Sequence, residues 1–396
     1  MKPNPLQELH EQAEAAFIPY GPDIAIVESY GEPEAEYAAI RKAAALMDAP
    51  QRGTIEIRGR DRLTFLNNLV TNDTRTLAAG NGRYAFMLNT RGRIVADMNV
   101  LNLADRTILD MDARLTTTTA KALGDYIFTE DAAISDRSTE LARLSLFGPA
   151  AAPLLDRIGA VGIESDLASP LHIKDYMLAD IPLAIFSLNL VGSPQYELIT
   201  PVERVRELWQ ILLERGDAAP ATLTSTDSET KPRLRAIGWS AFNVARIESG
   251  SLLLGIDISE HNLPMETGPW YLRGVSLTKG CYLGQEVVAR MHSHNSVARM
   301  LVGLRFNSHA PPMAGAELRA GELQVGMVTS SCNSPMLGSA PIGLGYVKRS
   351  HSELGGTVET DTMEGHRPAT ITALPFWLPP GALANPTAKQ NAAPHA

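Results

Sequence analysis

This chain of 396 residues is too long for one ordinary hydrophobic core, so we expect more than one packed unit. Its formal net charge of −9 argues against a basic groove for direct binding of nucleic acid. Its two cysteines argue against a disulfide framework and favour a reducing, cytoplasmic compartment, and no stretch approaches the roughly 18 apolar residues of a membrane span.

The first elements along the chain are helices and strand–turn–helix units. Amphipathic helices are predicted in "PLQELHEQAEAAF" and "PEAEYAAIRKAAALM", each near a proline that suits a first turn. The stretch "GTIEIRGRDRLTFLNNLVTN" then predicts a strand, a glycine turn and a helix that the Asp61 carboxylate can cap. The same order returns in "ARLSLFGPAAAPLLDRIGA". Together the two units predict a duplicated α+β module with helices packed on antiparallel sheets.

Further strands and helices fill the rest of the chain. Strands are predicted in "GRYAFMLNTRGRIVADMNVLNL", with a turn at residues 89–92, and in "RTILDMD", "IPLAIFSLNL" and "PQYELITP". Helices are predicted in "VERVRELWQILLERG", in "SAFNVARIESG" and from near Gln285, and "SETKPRLRAIGW" is predicted to be a linker. After about Ser296, short strands separated by Gly, Pro and Asn predict a small β-barrel. The Pro- and Ala-rich end of the chain is predicted to be disordered.

One segment resembles a known family. "KGCYLGQEVVAR", from Lys279 to Arg290, is similar to the signature of the YgfZ-type folate-binding proteins. These are relatives of the glycine-cleavage aminomethyltransferase in the GcvT superfamily, and they include the mitochondrial assembly factor for iron–sulfur proteins. "FLNNLVTNDTRTL", "YAFMLNTRGRIVAD" and "VGMVTSSCNSPMLGSAPIGLGYV" resemble other family segments, so the resemblance covers roughly residues 35–375.

The resemblance implies an α+β fold of two intertwined ferredoxin-like halves with antiparallel sheets, plus a C-terminal β-barrel, around a central hole. On this basis we predict an N-terminal extension (1–34) and a folate-binding domain of two subdomains (35–295). A barrel domain (296–376) and a disordered tail (377–396) would follow.

Cys281 is the first candidate functional residue. Lys279 lies two residues before it and a helix start follows, and both features favour a thiolate. The alternative is an ordinary buried cysteine that packs as a small hydrophobe. With the family match we predict a functional thiol, with Lys279 beside it, as a nucleophile, a redox-sensitive group or a transient ligand. We expect its sulfur at the edge of the folate cavity, where it would meet the carboxylates that face the folate. His292 and His294 lie nearby without a CxxC or HExxH motif, so no stable metal site is predicted.

The resemblance also implies a set of folate-facing residues. Asp97 would face the reactive pterin nitrogens, where a carboxylate can polarise an attacking amine or hold a proton during methylene transfer. Glu197 would hold the pterin ring, because one carboxylate can accept two adjacent N–H donors. The other expected contacts with tetrahydrofolate, or with a one-carbon derivative of it, are Tyr84, Asn89, Arg246, Gln285 and Arg290.

The chain departs from the aminomethyltransferase pattern at two places. In "GRIVAD" the second glycine of the family run is Arg93 and the first aspartate is Ala96. Phe242 stands where those enzymes have an arginine, so the anchor for the folate glutamate tail would be missing or supplied by Arg290 or Arg299. The first departure argues against aminomethyl transfer, and the second keeps open an interaction scaffold that has lost the ligand.

Three functions follow from these features. The favoured one is a tetrahydrofolate-binding factor that supports assembly or repair of iron–sulfur proteins, and tRNA modification through such enzymes, by transient contacts with them. The second is a folate-dependent aminomethyltransferase or other one-carbon transferase acting through Asp97. The third is a catalytically silent interaction scaffold. The cysteine in the Lys-Gly-Cys-Tyr run and the halved acidic pair favour the first, and the family predicts a monomer.

Overall fold

The computed structural model describes residues 4–217, 234–294 and 297–379. The helices are α1 (Gln7–Gln12), α2 (Pro33–Lys42), α3 (Arg62–Asn67), α4 (Thr116–Gly124), α5 (Ala151–Arg157), α6 (Ile163–Asp166), α7 (Val205–Asp217), α8 (Trp239–Glu248), α9 (Tyr271–Gly274) and α10 (Gln285–His294). None of the helices in these ranges is long and apolar enough to cross a membrane. Half of the predicted linker and most of the predicted disordered tail lie outside the described residues. The described half of the linker is not a linker, because it forms β13 and the start of α8.

The strands form a short hairpin, two larger sheets and a barrel. They are β1 (Ala16–Pro19), β2 (Ala25–Ser29), β3 (Ala44–Asp48), β4 (Arg52–Arg58), β5 (Asn81–Leu88), β6 (Ile94–Asn102), β7 (Thr107–Asp112), β8 (Ala133–Asp136), β9 (Leu141–Phe147), β10 (Ile173–Leu178), β11 (Ile181–Leu188), β12 (Gln195–Pro201), β13 (Leu234–Ala236), β14 (Arg299–Phe306), β15 (Glu317–Ala320), β16 (Leu323–Ser334), β17 (Ala340–Lys348), β18 (Thr357–Thr362) and β19 (Gly365–Thr372).

Two sheets carry the duplicated module. One has five strands in the order β5-β6-β7-β4-β8, and the other has six in the order β10-β11-β12-β9-β3-β13. All neighbours in both sheets are antiparallel except the parallel pair β3 and β13. Each sheet contains one of the predicted strand–glycine–helix units, β4 with α3 and β9 with α5. The predicted α+β fold of two related halves is therefore confirmed.

Glycine is required at the turn of each unit. Gly59 has φ of +109°, and a Cβ atom on it would lie 2.1 Å from the backbone oxygen of Asp131. Gly148 has φ of +99°, and a Cβ atom on it would lie 2.4 Å from the backbone oxygen of Ala43. Any side chain at either position would clash with the backbone, and the positive φ is one that residues other than glycine rarely adopt. Both turns therefore require glycine for the same steric reason.

The structure corrects three local predictions. The helix expected in "PEAEYAAIRKAAALM" ends at Lys42, and residues 44–48 form β3 in the interior of the six-stranded sheet, where burial on both faces outweighs local helix propensity. The helix expected from residue 5 to residue 17 stops at Gln12, and β1 follows. The Asp61 side chain does not cap α3; it accepts a hydrogen bond from the Asp131 backbone N–H at 2.9 Å.

The C-terminal strands close into a barrel in the order β14-β17-β16-β15-β18-β19, which confirms the predicted barrel. One hydrophobic core joins this barrel to both sheets. It includes Phe86 from the five-stranded sheet, Phe186 from the six-stranded sheet and Leu344 from the barrel. Because all three units pack into one core, side chains from the two sheets meet in the middle of the molecule.

Candidate functional site

A cavity lies between the two sheets and encloses about 790 Å³ including its opening to solvent. Strands β5 and β6 contribute one wall, strands β9 and β12 contribute the opposite wall, and α8 and the segment around α9 complete it. Its polar and aromatic lining residues are Tyr20, Gln51, Arg52, Tyr84, Asp97, Asn99, Ser145, Gln195, Glu197, Trp239, Phe242, Trp270 and Arg273. The structure thus brings together three of the predicted site residues, Tyr84, Asp97 and Glu197.

Asp97 is held by a directed chain of hydrogen bonds. The Tyr84 hydroxyl donates to Asp97 Oδ2 at 2.8 Å, and Trp270 Nε1 donates to the Tyr84 oxygen at 3.1 Å. Because an indole nitrogen can only donate, the single hydroxyl proton of Tyr84 is left for Asp97. Burial raises the pKa of the Asp97 carboxyl, although Arg52 and the Tyr84 hydroxyl oppose this shift. Asp97 therefore binds a proton more readily than an exposed aspartate does.

Glu197 is buried on the opposite wall and is held in one orientation. Ser145 donates to Glu197 Oε2 at 2.8 Å, and Gln195 Nε2 donates to Oε1 at 2.7 Å. Arg143 Nη1 makes a longer contact with Oε2 at 3.5 Å. Burial raises the pKa of the Glu197 carboxyl, and the Arg143 charge opposes this shift. Each carboxylate oxygen has one short hydrogen bond, which leaves an acceptor position on each for a ligand.

A buried chain of charges connects the two walls. Arg52 Nη2 lies 2.7 Å from Asp110 Oδ2, and Arg143 Nη2 lies 3.0 Å from Asp110 Oδ1. The two guanidinium groups lower the pKa of the Asp110 carboxyl in spite of its burial. The chain therefore runs from Arg52 through Asp110 and Arg143 to Glu197 and balances two cations against two anions. This chain of charges was not predicted from the sequence, although an arginine inside the apolar strand "ARLSLF" is a signal of a buried ion pair.

Gln51 was also missed, and it provides a test of whether a pterin fits here. Its side-chain Oε1 is buried, lines the cavity and has no hydrogen-bond partner among the described residues. A buried acceptor without a donor is costly, so Gln51 is a candidate contact for a ligand N–H group. A reduced pterin presents several N–H donors along one flat edge. The acceptors of Gln51 and Glu197, with aromatic side chains beside them, fit such a ligand.

Asn89 and Arg290 lie elsewhere. Both line an open surface cleft together with Arg91, Arg93 and His261. Asn89 Oδ1 accepts the backbone N–H groups of Arg91 at 2.9 Å and of Arg93 at 3.1 Å, so its side chain fixes the turn between β5 and β6. The structure therefore places these two predicted folate contacts outside the cavity that contains Asp97.

Arg246 and Gln285 also have local roles. Arg246 is buried and forms an ion pair with Asp257, and it donates to Ser330 Oγ in the barrel at 2.7 Å. It connects α8 to the barrel and does not line the cavity. The Gln285 side-chain oxygen accepts the Tyr282 backbone N–H at 3.2 Å, which closes the turn before α10.

The Lys279–Cys281 segment differs from the expectation that its sulfur meets the two carboxylates. Cys281 is exposed and is not among the cavity-lining residues. Lys279 Nζ donates to the backbone oxygens of Asn67, Val70 and Asn72, at 2.5, 2.6 and 2.9 Å. Burial lowers the pKa of the Lys279 amine to about 8. The Lys279 amine thus joins this segment to the end of α3. Of the three groups expected to meet in the cavity, only the Asp97 and Glu197 carboxylates line it.

Comparisons with known proteins agree with this architecture. The family model described as the GCVT N-terminal domain matches residues 6–272, and the one described as the glycine cleavage T-protein C-terminal barrel domain matches residues 299–377. An aminomethyltransferase from Symbiobacterium thermophilum is 30% identical over 390 residues, which cover 96% of this chain and 98% of that protein. One from Thermoanaerobacter sp. (strain X514) is 27% identical, over 91% of this chain and 93% of that protein.

A solved structure is similar over nearly the whole chain. The glycine cleavage system aminomethyltransferase T from Bartonella henselae superposes with a TM-score of 0.82 at 25% identity. The match covers 94% of this chain and 97% of that one. The N-terminal and barrel family models together match 346 of the 396 residues and leave residues 273–298 between them unmatched. The chain therefore belongs to the GCVT family, with the N-terminal domain and the C-terminal barrel domain of the glycine cleavage T-protein.

Proposed function

We propose that this protein is a folate-dependent one-carbon transferase of the aminomethyltransferase type, and that the cavity between its two sheets binds reduced folate. One observation carries the proposal: Asp97 and Glu197, which come from different sheets, line the same cavity. The similarity to proteins named aminomethyltransferase over more than 90% of the chain supports it. This was the second function that the sequence suggested, and it now replaces the iron–sulfur factor as the first.

Glu197 and Gln51 have the binding role. Their oxygens accept N–H groups from the edge of the pterin, which orients the ring across the cavity. Glu197 must stay ionised to accept from two donors, and Arg143 at 3.5 Å and Ser145 at 2.8 Å favour the ionised form. The Tyr84 and Trp270 rings supply an apolar wall that keeps water away from the ligand.

Asp97 has the catalytic role. When bound, tetrahydrofolate supplies two amine nitrogens that can take up a one-carbon unit. The Asp97 carboxylate lies on the wall opposite Glu197, where it can accept a proton from such an amine and stabilise positive charge near it. Its raised pKa makes it a better proton acceptor than an ordinary aspartate. The hydrogen bond from Tyr84 holds the carboxylate in one orientation while the proton is transferred.

The test combines binding and turnover. Anaerobic calorimetry with tetrahydrofolate is expected to show binding to the full-length protein, and Glu197→Gln is expected to weaken it. Turnover is measured as 5,10-methylenetetrahydrofolate formed from an aminomethyl-loaded carrier protein of a glycine cleavage system. Asp97→Asn is expected to bind tetrahydrofolate and to lose at least about a hundredfold in rate, the scale of general acid–base catalysis. Absence of binding, or full activity of Asp97→Asn, would contradict the proposal.

The iron–sulfur factor stays the second candidate because Cys281 is exposed within the segment that resembles the YgfZ-type signature. A sulfur outside the folate cavity can act on a partner protein without changing folate binding. In a strain that lacks this protein, the second function predicts that the wild type rescues iron–sulfur enzyme activity under oxidative stress and that Cys281→Ala does not. Cys332→Ala, at a buried cysteine, is the matched control. Equal rescue by Cys281→Ala would exclude a role for this thiol.

A further inference from the structure

Arg273 is a cation on the cavity wall without an anionic partner among the described residues. Of the two guanidinium groups among the described lining residues, Arg52 is paired with Asp110, whereas Arg273 forms no ion pair or hydrogen bond through its guanidinium. Its guanidinium carbon lies 4.1 Å from the centre of the Trp270 ring. Burial lowers the pKa of Arg273, in contrast to Arg52, whose pKa the Asp110 charge raises. The Arg273 guanidinium has therefore lost hydration without gaining an anionic partner among the described residues.

The position of Arg273 is fixed by its surroundings. It lies in α9, and its backbone oxygen accepts Asn72 Nδ2 at 3.0 Å. The stacking on Trp270 restricts the guanidinium plane. Partly buried cations in proteins are normally paired, because loss of hydration is otherwise unfavourable. A fixed, unpaired guanidinium at a cavity wall thus provides a ready site for an anion of the ligand.

Arg273 and Asp97 flank the same pair of aromatic residues. Trp270 Nε1 donates to Tyr84, which donates to Asp97, while Arg273 covers the Trp270 ring. Asp97, like Arg273, has no ion-pair partner of opposite charge within 4.0 Å among the described residues. One wall of the cavity therefore presents an unpaired carboxylate and an unpaired guanidinium. This arrangement complements a ligand that carries both an amine and a carboxylate.

We propose that Arg273 binds the carboxylate of a ligand whose amine faces Asp97. The planar fork of the guanidinium can donate two parallel hydrogen bonds to a carboxylate. This inference rests on the proposed function, since it assigns a second ligand group to the same cavity. The carboxylate has two sources with the same chemistry, the glutamate of the folate itself and a small amino acid bound beside the folate.

Three probes separate these sources in anaerobic calorimetry on the full chain. The first is 6,7-dimethyltetrahydropterin, which has the pterin ring but no carboxylate. The second is tetrahydrofolate, and the third is N,N-dimethylglycine added to the tetrahydrofolate-loaded protein. The variants are Arg273→Gln, which removes the charge, and Arg273→Lys, which keeps the charge but loses the fork. Arg60→Gln, at an arginine whose side chain is 84% exposed, is the control.

Arg273→Gln is expected to keep the affinity for the tetrahydropterin within about twofold of the wild-type affinity. It is expected to weaken the binding of one carboxylate probe by roughly tenfold or more, because a charge-assisted contact is lost. The affinity of Arg273→Lys for the same carboxylate probe should lie between those of Arg273→Gln and the wild type. Arg273→Lys also takes the place of Arg273→Gln if that variant does not fold. Weaker tetrahydrofolate binding assigns the contact to the folate glutamate. Weaker dimethylglycine binding alone assigns the contact to an amino acid bound beside the folate.

Three results would overturn the proposal. If the wild type binds the tetrahydropterin and Arg273→Gln weakens the binding of neither carboxylate probe, only the role of Arg273 is refuted. If Arg273→Gln weakens the binding of the tetrahydropterin as much as that of the other probes, Arg273 acts on the pterin or on the fold and not on a carboxylate. If the wild type binds no tetrahydropterin, the proposed function fails, and this inference fails with it.

Discussion

The hydrogen bond from Tyr84 to Asp97 allows a quantitative prediction. Tyr84→Phe removes the hydroxyl that donates to Asp97 Oδ2 at 2.8 Å and leaves the ring in place. A hydrogen bond to a charged group contributes about 1.5–3 kcal/mol, and one pKa unit corresponds to about 1.4 kcal/mol. Because Asp97 is only partly buried, solvent screening favours the lower end of this range. We expect the pKa of Asp97 in Tyr84→Phe to rise by about one unit above its wild-type value.

The measurement is a pH titration of the Asp97 carboxyl followed by ¹³C NMR, with the signal assigned from its loss in Asp97→Asn. In the wild type the pKa should already lie above the usual value, because burial raises it. The control is Tyr196→Phe, which alters a buried tyrosine that does not line the cavity. An unchanged or lowered pKa of Asp97 in Tyr84→Phe would refute the assignment of this hydrogen bond as the one that stabilises the ionised carboxylate.

Further predictions concern the same cavity. Glu197→Gln should weaken binding of 6,7-dimethyltetrahydropterin at least about tenfold in calorimetry, because the charged acceptor is lost; an unchanged affinity would place the pterin elsewhere. Gln51→Leu should raise the free energy of unfolding by about 1 kcal/mol, since a buried acceptor without a donor is removed, and should weaken the same probe; a loss of stability would contradict this. Asp97→Asn should stabilise the protein at neutral pH. Burial raises the pKa of Asp97 in the folded state, so stability falls as pH rises from the usual pKa of an aspartate through the folded-state pKa. Thermal unfolding at several pH values tests this, and a stabilisation that is largest in acid would contradict it.

The repeated order of elements made much of the fold predictable. The strand–glycine–helix units and the short C-terminal strands depend on local steric and periodic signals, such as the close approach at Gly59 and Gly148. The failures arose where tertiary contacts decide the structure. Residues 44–48 have helical propensity in isolation, but in the fold they supply an interior strand between β9 and β13. No local pattern in the sequence specifies that pairing.

The site was predictable only in part. Asp97 and Glu197 were found through the family resemblance, since alternation along β12 does not say whether Glu197 faces a cavity or solvent. The hydrogen-bond chain from Trp270 to Asp97 joins residues far apart in sequence, so spacing does not reveal it. Arg273 was missed for the same reason. Cys281 was expected at the edge of the cavity through the family resemblance, but it is exposed and is not among the cavity-lining residues. Its neighbour Lys279 was expected to favour a thiolate, but the ammonium donates to three backbone oxygens.

The most direct test of the central claim is a crystal structure of the protein with tetrahydrofolate bound under anaerobic conditions. The account predicts that the pterin edge lies on the Glu197 carboxylate and Gln51 Oε1, with the reactive amines facing Asp97. Electron density for the pterin in the surface cleft of Asn89 and Arg290 instead, with Asp97 and Glu197 contacting only solvent and protein, would contradict it.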